Sequence, residues 1–163
     1  MKKVKLFSLM FLVAGMLVLN GCQKEGPAGE DGRDGNANVV STTVTSSAWI
    51  YSDPSWTLNI PYAAVTQDII NTGAVLVYAK VETSFNQLPL TFYQTPTYST
   101  SVEVSSYAGG VNLIWTDSDL IQPNTPNLET FKIVVISSAG IAQNPNVDLS
   151  NYEEVASAFL IAE

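Results

Sequence analysis

The chain contains no histidine and a single cysteine, Cys22. The missing imidazole excludes histidine-built zinc sites, Ser-His triads and histidine general bases. With no second thiol there is no internal disulfide, even where the compartment would permit one. Charge is sparse as well, with 7 basic residues against 15 acids and charged side chains making up 13% of the chain. Long apolar runs are also missing. The longest stretch, Leu6 to Leu19, has 14 residues and is interrupted by Ser8 and Gly15, whereas a helix crossing a bilayer needs about 20.

What is present falls into three parts, and the first is a targeting segment over residues 1–21. Lys2, Lys3 and Lys5 precede the apolar run, the pattern of a secretory signal peptide. Ordinary cleavage prefers small residues at the last and third-last positions, and here Gly21 is small while Leu19 is large. Leu19-Asn20-Gly21-Cys22 resembles the lipobox read by bacterial lipoprotein-processing enzymes. The resemblance implies acylation of the Cys22 thiol, cleavage before it, and membrane lipid as a partner through that residue. A buried methylene contributes about 0.8 kcal/mol, so more than one acyl chain is needed for a lasting anchor. The competing reading is a soluble secreted chain with an incidental thiol, and the position of the lone cysteine disfavours it.

Residues 22–38 read as a linker. Gly26, Gly29, Gly32 and Gly35 recur at every third position, the spacing a collagen triple helix requires. There are only four such triplets, and Pro27 is their sole proline, so a hydrophilic spacer is the simpler expectation. A polyproline path over residues 23–38 reaches roughly 50 Å, and a flexible coil averages about 22 Å. Residues 22–163 keep four basic residues, Lys24, Arg33, Lys80 and Lys132, against fifteen acids, a net charge of −11. Such a surface repels nucleic acid, which is not expected as a partner.

Residues 39–163 are long enough for one domain with a real core. Period-2 alternation predicts strands at Trp56-Leu58-Ile60, at Leu88-Leu90-Phe92, through Tyr98 to Val104, and at Val111-Leu113-Trp115. Ala74–Val81 and Phe131–Ile136 are apolar on nearly every residue and read as central strands, with one face on the core and the other partly covered. About seven strands separated by Pro, Gly, Asn and Ser clusters predict a mainly β fold, an antiparallel β-sandwich. Thr66 to Gly73 predicts one capped helical turn. Ser150-Asn-Tyr-Glu153 matches a capping box, and Tyr152, Val155, Ala156 and Phe159 share a helical face. The expectation is a short C-terminal helix that closes one end of the sandwich.

The Leu-Asn-Gly-Cys lipobox, the Gly-x-y tract running into Gly35–Val39, the segment Thr66–Tyr78, Phe131–Ile136 and Asp148–Val155 together resemble collagen-like lipoproteins of the Bacteroidota. The resemblance implies a cell-envelope lipoprotein and supplies no catalytic residues. Gln23-Lys24-Glu25 resembles the start of a surface-export signal of that phylum, with Gly26 interrupting it. An outer-membrane location is expected, with outward display favoured.

Two constellations are candidate sites. Asp117 and Asp119, two apart after the strand ending at Trp115, could share a calcium ion through hard oxygen ligands, although a polar turn is the stronger expectation. Trp49, Tyr51 and Trp56 cluster around Asp53-Pro54 and could stack on sugar rings, as could Tyr93, Tyr98 and Tyr107 near loop ends. Core packing is the stronger expectation for these rings. No base accompanies any serine or threonine, and Glu153 and Glu154 belong to helix capping and solvation. No cofactor and no enzymatic activity are expected. The leading reading is a displayed, non-catalytic sandwich that binds or adheres to a glycan or protein. The alternatives are a structural envelope protein whose Gly-x-y tract assists assembly and, remotely, a carboxylate-based hydrolase.

Overall fold

A computed structural model describes residues 38–161. The signal segment, Cys22 and the Gly-x-y tract lie outside the described residues. The described strands are β1 (Val39–Thr45), β2 (Ile50–Ser52), β3 (Ser55–Pro61), β4 (Ala74–Val81), β5 (Ser84–Gln87), β6 (Leu90–Tyr93), β7 (Ser99–Tyr107), β8 (Gly110–Asp117) and β9 (Thr130–Ile136). Three short helices accompany them, α1 (Gln67–Thr72), α2 (Ser138–Gln143) and α3 (Tyr152–Phe159). Every pairing is antiparallel, in a four-stranded sheet of order β1-β9-β4-β5 and a five-stranded sheet of order β2-β3-β8-β7-β6. The expected β-sandwich is present, with nine strands where about seven were predicted.

The two all-apolar segments pair with each other at the centre of the four-stranded sheet, Leu76 opposite Val134 and Tyr78 opposite Lys132. Alternation along a strand sends their side chains to two different cores. Val77, Ala79, Phe131, Ile133 and Val135 pack against Leu58, Ile60, Val102, Val111, Leu113 and Trp115 of the five-stranded sheet. Leu76, Tyr78, Val134 and Ile136 face outward and pack against Tyr152, Val155 and Phe159 of α3. The C-terminal helix therefore covers the outer face of the four-stranded sheet and does not close an end of the sandwich. That placement follows from the strands it covers, because an apolar second face needs shielding from water.

The Tyr78 hydroxyl donates to the Leu149 carbonyl at 2.8 Å and fixes the segment that leads into α3. Burial, then the neighbouring Tyr152 and Asp148, push the Tyr78 phenol well above its ordinary range. The helix cap also departs from expectation by one residue. Asn151, not Ser150, is the N-cap, and its side chain accepts from the amides of Glu153 and Glu154. Ser150 instead hydrogen-bonds Asp148 from both its amide (2.9 Å) and its hydroxyl (2.6 Å), which lowers the Asp148 pKa.

α1 forms where predicted, with Thr66 as its N-cap and Gly73 closing it. A Cβ on Gly73 would collide with the Ile136 carbonyl oxygen, so glycine is required there by close approach. Leu88 does not sit in a strand with Leu90 and Phe92. It is buried between β5 and β6, where its amide donates to Val77 (2.8 Å), and the chain passes at Leu88-Pro89 from one sheet to the other. Proline supplies no N–H to a ladder, which suits this crossing point. α2 was not predicted, because Ser-Ala-Gly-Ile-Ala-Gln carries little apolar periodicity.

Phe159 is 2% exposed. Phe159→Ala is predicted to lower unfolding free energy by about 3–5 kcal/mol, measured by urea denaturation. A loss below 1 kcal/mol would mean that α3 contributes little to covering the sheet.

Candidate functional site

At the end of the sandwich where β4 and β8 finish and β7 begins, the described residues enclose a cleft of about 430 Å3. Its walls come from several elements. Trp115 and Asp117 end β8, Thr100 opens β7, and Phe92 and Gln94 lie at the end of β6. Lys80 lies near the end of β4 and Glu82 in the β4–β5 turn, while Asn124, Thr125, Asn127 and Leu128 come from the long connection between β8 and β9. Tyr98 completes the lining.

Polar groups at the floor are chained together. Thr100, 2% exposed, donates its hydroxyl proton to Asp117 Oδ1 at 2.5 Å and accepts from Gln94 Nε2 at 3.2 Å. Asp117 is itself only 8% exposed, so this charge-assisted bond offsets part of the cost of removing a carboxylate from water. Beside it, Phe92 and Trp115 stack with ring centroids 6.1 Å apart and planes 24° from parallel. The cleft thus combines aromatic carbon, amide side chains and a held carboxylate, a mixture suited to a ligand with both apolar faces and hydroxyl groups.

The loop 118–129 that forms one wall is held by two indoles. Trp49 Nε1 donates to the Leu128 carbonyl at 3.2 Å, and Trp56 Nε1 donates to the Pro123 carbonyl at 3.0 Å. Pro123 and Pro126 are buried and give the loop further footing. Trp49 also sits edge-on to Trp115 and to Phe131, each at 6.2 Å. Trp49 and Trp56 therefore pack inward and support the cleft wall, in line with the core packing expected for these rings, and do not form an exposed sugar platform. Trp49 is a core residue, 8% exposed. Trp56 is half-buried and packs at 5.2 Å against Tyr51, whose hydroxyl donates to Asp53 at 3.0 Å. Of the three tyrosines near loop ends, Tyr98 lines the cleft and Tyr93 is exposed. Tyr107 accepts from Asn59 on the five-stranded sheet.

Asp117 and Asp119 are engaged separately. Asp117 faces Thr100 in the cleft, while Asp119 Oδ1 accepts from the Ile121 amide at 3.0 Å and closes a turn. The two carboxylates considered from sequence as a shared calcium site thus have different partners, and among the described residues no group of three or more His, Cys, Asp or Glu side chains could hold a metal ion. Sequence reasoning missed Gln94, Thr100, Asn124, Thr125 and Asn127. The run Gln122-Pro-Asn-Thr-Pro-Asn127 reads as a separator between strands, and only folding brings Asn124, Thr125 and Asn127 to the cleft that Trp115 and Asp117 also line.

No family model, curated protein or solved structure matches the chain.

Trp56→Phe keeps the ring and removes the donor to Pro123. It is predicted to speed amide exchange over residues 118–129 by about fivefold, the loss of a bond worth ~1 kcal/mol, while exchange in β4 and β9 stays unchanged. Hydrogen-exchange mass spectrometry checks this, and equal acceleration in the central strands would contradict a local tether.

Proposed function

We propose that the chain is an envelope lipoprotein, tethered through acylated Cys22, whose β-sandwich binds a saccharide in the cleft at its end. One observation carries the binding half of this reading. Phe92, Tyr98 and Trp115 lie on the same cleft walls as Gln94, Asn124, Thr125, Asn127 and Asp117. Flat rings offer dispersion and C–H contacts to the apolar faces of a pyranose. Amides and a carboxylate can exchange hydrogen bonds with its hydroxyls in both directions. The tether rests on Leu19-Asn-Gly-Cys22 and the preceding apolar run. The Gly-x-y spacer would hold the cleft clear of the headgroups.

A second reading has one observation in its favour. Glu82 and Asp117 line the same cleft, and paired carboxylates across a scissile bond are the machinery of glycoside hydrolysis. The binding reading assigns Asp117 to holding the floor through Thr100 and to accepting from a ligand hydroxyl.

Three outcomes test these statements. Radiolabelled palmitate is predicted to enter the protein expressed in a bacterial host, and Cys22→Ala is predicted to abolish the label. In a glycan-binding screen the full chain is predicted to retain at least one neutral saccharide, with Asn127→Ala weakening it about three- to tenfold, as expected for one lost hydrogen bond. Prolonged incubation with that saccharide is predicted to release no new reducing ends. Reducing ends that disappear in Asp117→Asn would favour the hydrolase.

A further inference from the structure

In residues 39–163 only Lys80 and Lys132 carry positive charge, against eleven acids. Both line one pocket of about 240 Å3. Lys132 lies opposite Tyr78, and Lys80 follows Tyr78 by two residues on the same strand. Both therefore belong to the outer face of the four-stranded sheet, where Tyr152 and Glu153 at the start of α3 border the same pocket. The two ammonium groups flank one ring, each 5.9 Å from the centroid of Phe85. Thr43, Thr83 and Thr130 place three hydroxyl-bearing side chains on the same walls, and Glu153 is the one carboxylate lining them. The walls thus carry two positive charges and one negative charge.

A lysine that serves solubility keeps its head group in water, yet Lys132 is 3% exposed. In a domain this acidic, gathering both cations around one ring concentrates positive charge where a scattered placement would balance more acids. We propose that this pocket binds a small oxyanion, a carboxylate, sulfate or phosphate group, with the two lysines as charge partners and the threonine hydroxyls as donors. The acidic surface elsewhere does not prevent this. Screening acts over about 8 Å at physiological ionic strength, so contact with two ammonium groups outweighs distant carboxylates. Lys80 also lines the cleft, and the two sites adjoin.

The test is calorimetric titration of the full chain in nonionic detergent with sulfate, phosphate and methyl glucuronide, in chloride at constant ionic strength. Saturable one-site binding is expected for at least one of them, with Lys80→Gln about tenfold weaker and Thr43→Val, at a residue that does not line the cleft, about threefold weaker. Saturation by an inorganic ion assigns the pocket to a free anion. Saturation by the glucuronide alone assigns it to the acidic group of a larger molecule. Failure of all three to saturate overturns the proposal. So does weakening confined to Lys80→Gln, which would move the anion into the cleft.

Discussion

The architecture depends on shielding two strands from water on both faces. β4 and β9 pair with each other and send alternate side chains into two separate cores. One face is met by the five-stranded sheet. The other would be an apolar surface in solvent, and α3 covers it with Tyr152, Val155 and Phe159. The rest follows from that requirement. Tyr78 must find a partner for its buried hydroxyl and takes the Leu149 carbonyl, which sets the approach of the helix. Beside the first turn of the helix, the outer face changes from Leu, Tyr and Val to lysine and threonine, and a pocket remains.

The cleft arises from a related constraint at one end of the sandwich. A twelve-residue connection, Ser118 to Glu129, must cross from the five-stranded sheet to the centre of the four-stranded one. Loops of that length carry few backbone bonds of their own. Two indole N–H groups and two buried prolines hold this one in place. The amides of Asn124 and Asn127 thereby lie on the same cleft as Trp115 and Asp117. A wall held this way needs little further ordering when a ligand enters, which preserves affinity.

Much of the fold was legible because burial leaves a period in the residues. Val111, Leu113 and Trp115 alternate and are buried as expected, and the doubly apolar segments became the central strands. The cover for those strands was misplaced, since apolar periodicity in residues 152–159 identifies a helix and its buried face but not what that face meets. α2 escaped because its serine, glycine and alanine carry no stripe. The site was the least legible part. Thr100, Gln94 and Asn127 are far apart in sequence and carry no mutual spacing. The tryptophans that drew attention as a platform turned out to brace the wall behind it.

The proposed saccharide site is the cleft between the β4–β5 turn and the loop 118–129. Mapping amide and indole chemical shifts of the full chain during saccharide titration tests it most directly. Shifts concentrated at Thr100, Trp115, Asp117, Asn124 and Asn127 are predicted, with the outer face of the five-stranded sheet, including Asn59 and Asn112, unaffected. Shifts gathered on that outer face, with the cleft silent, would contradict the account.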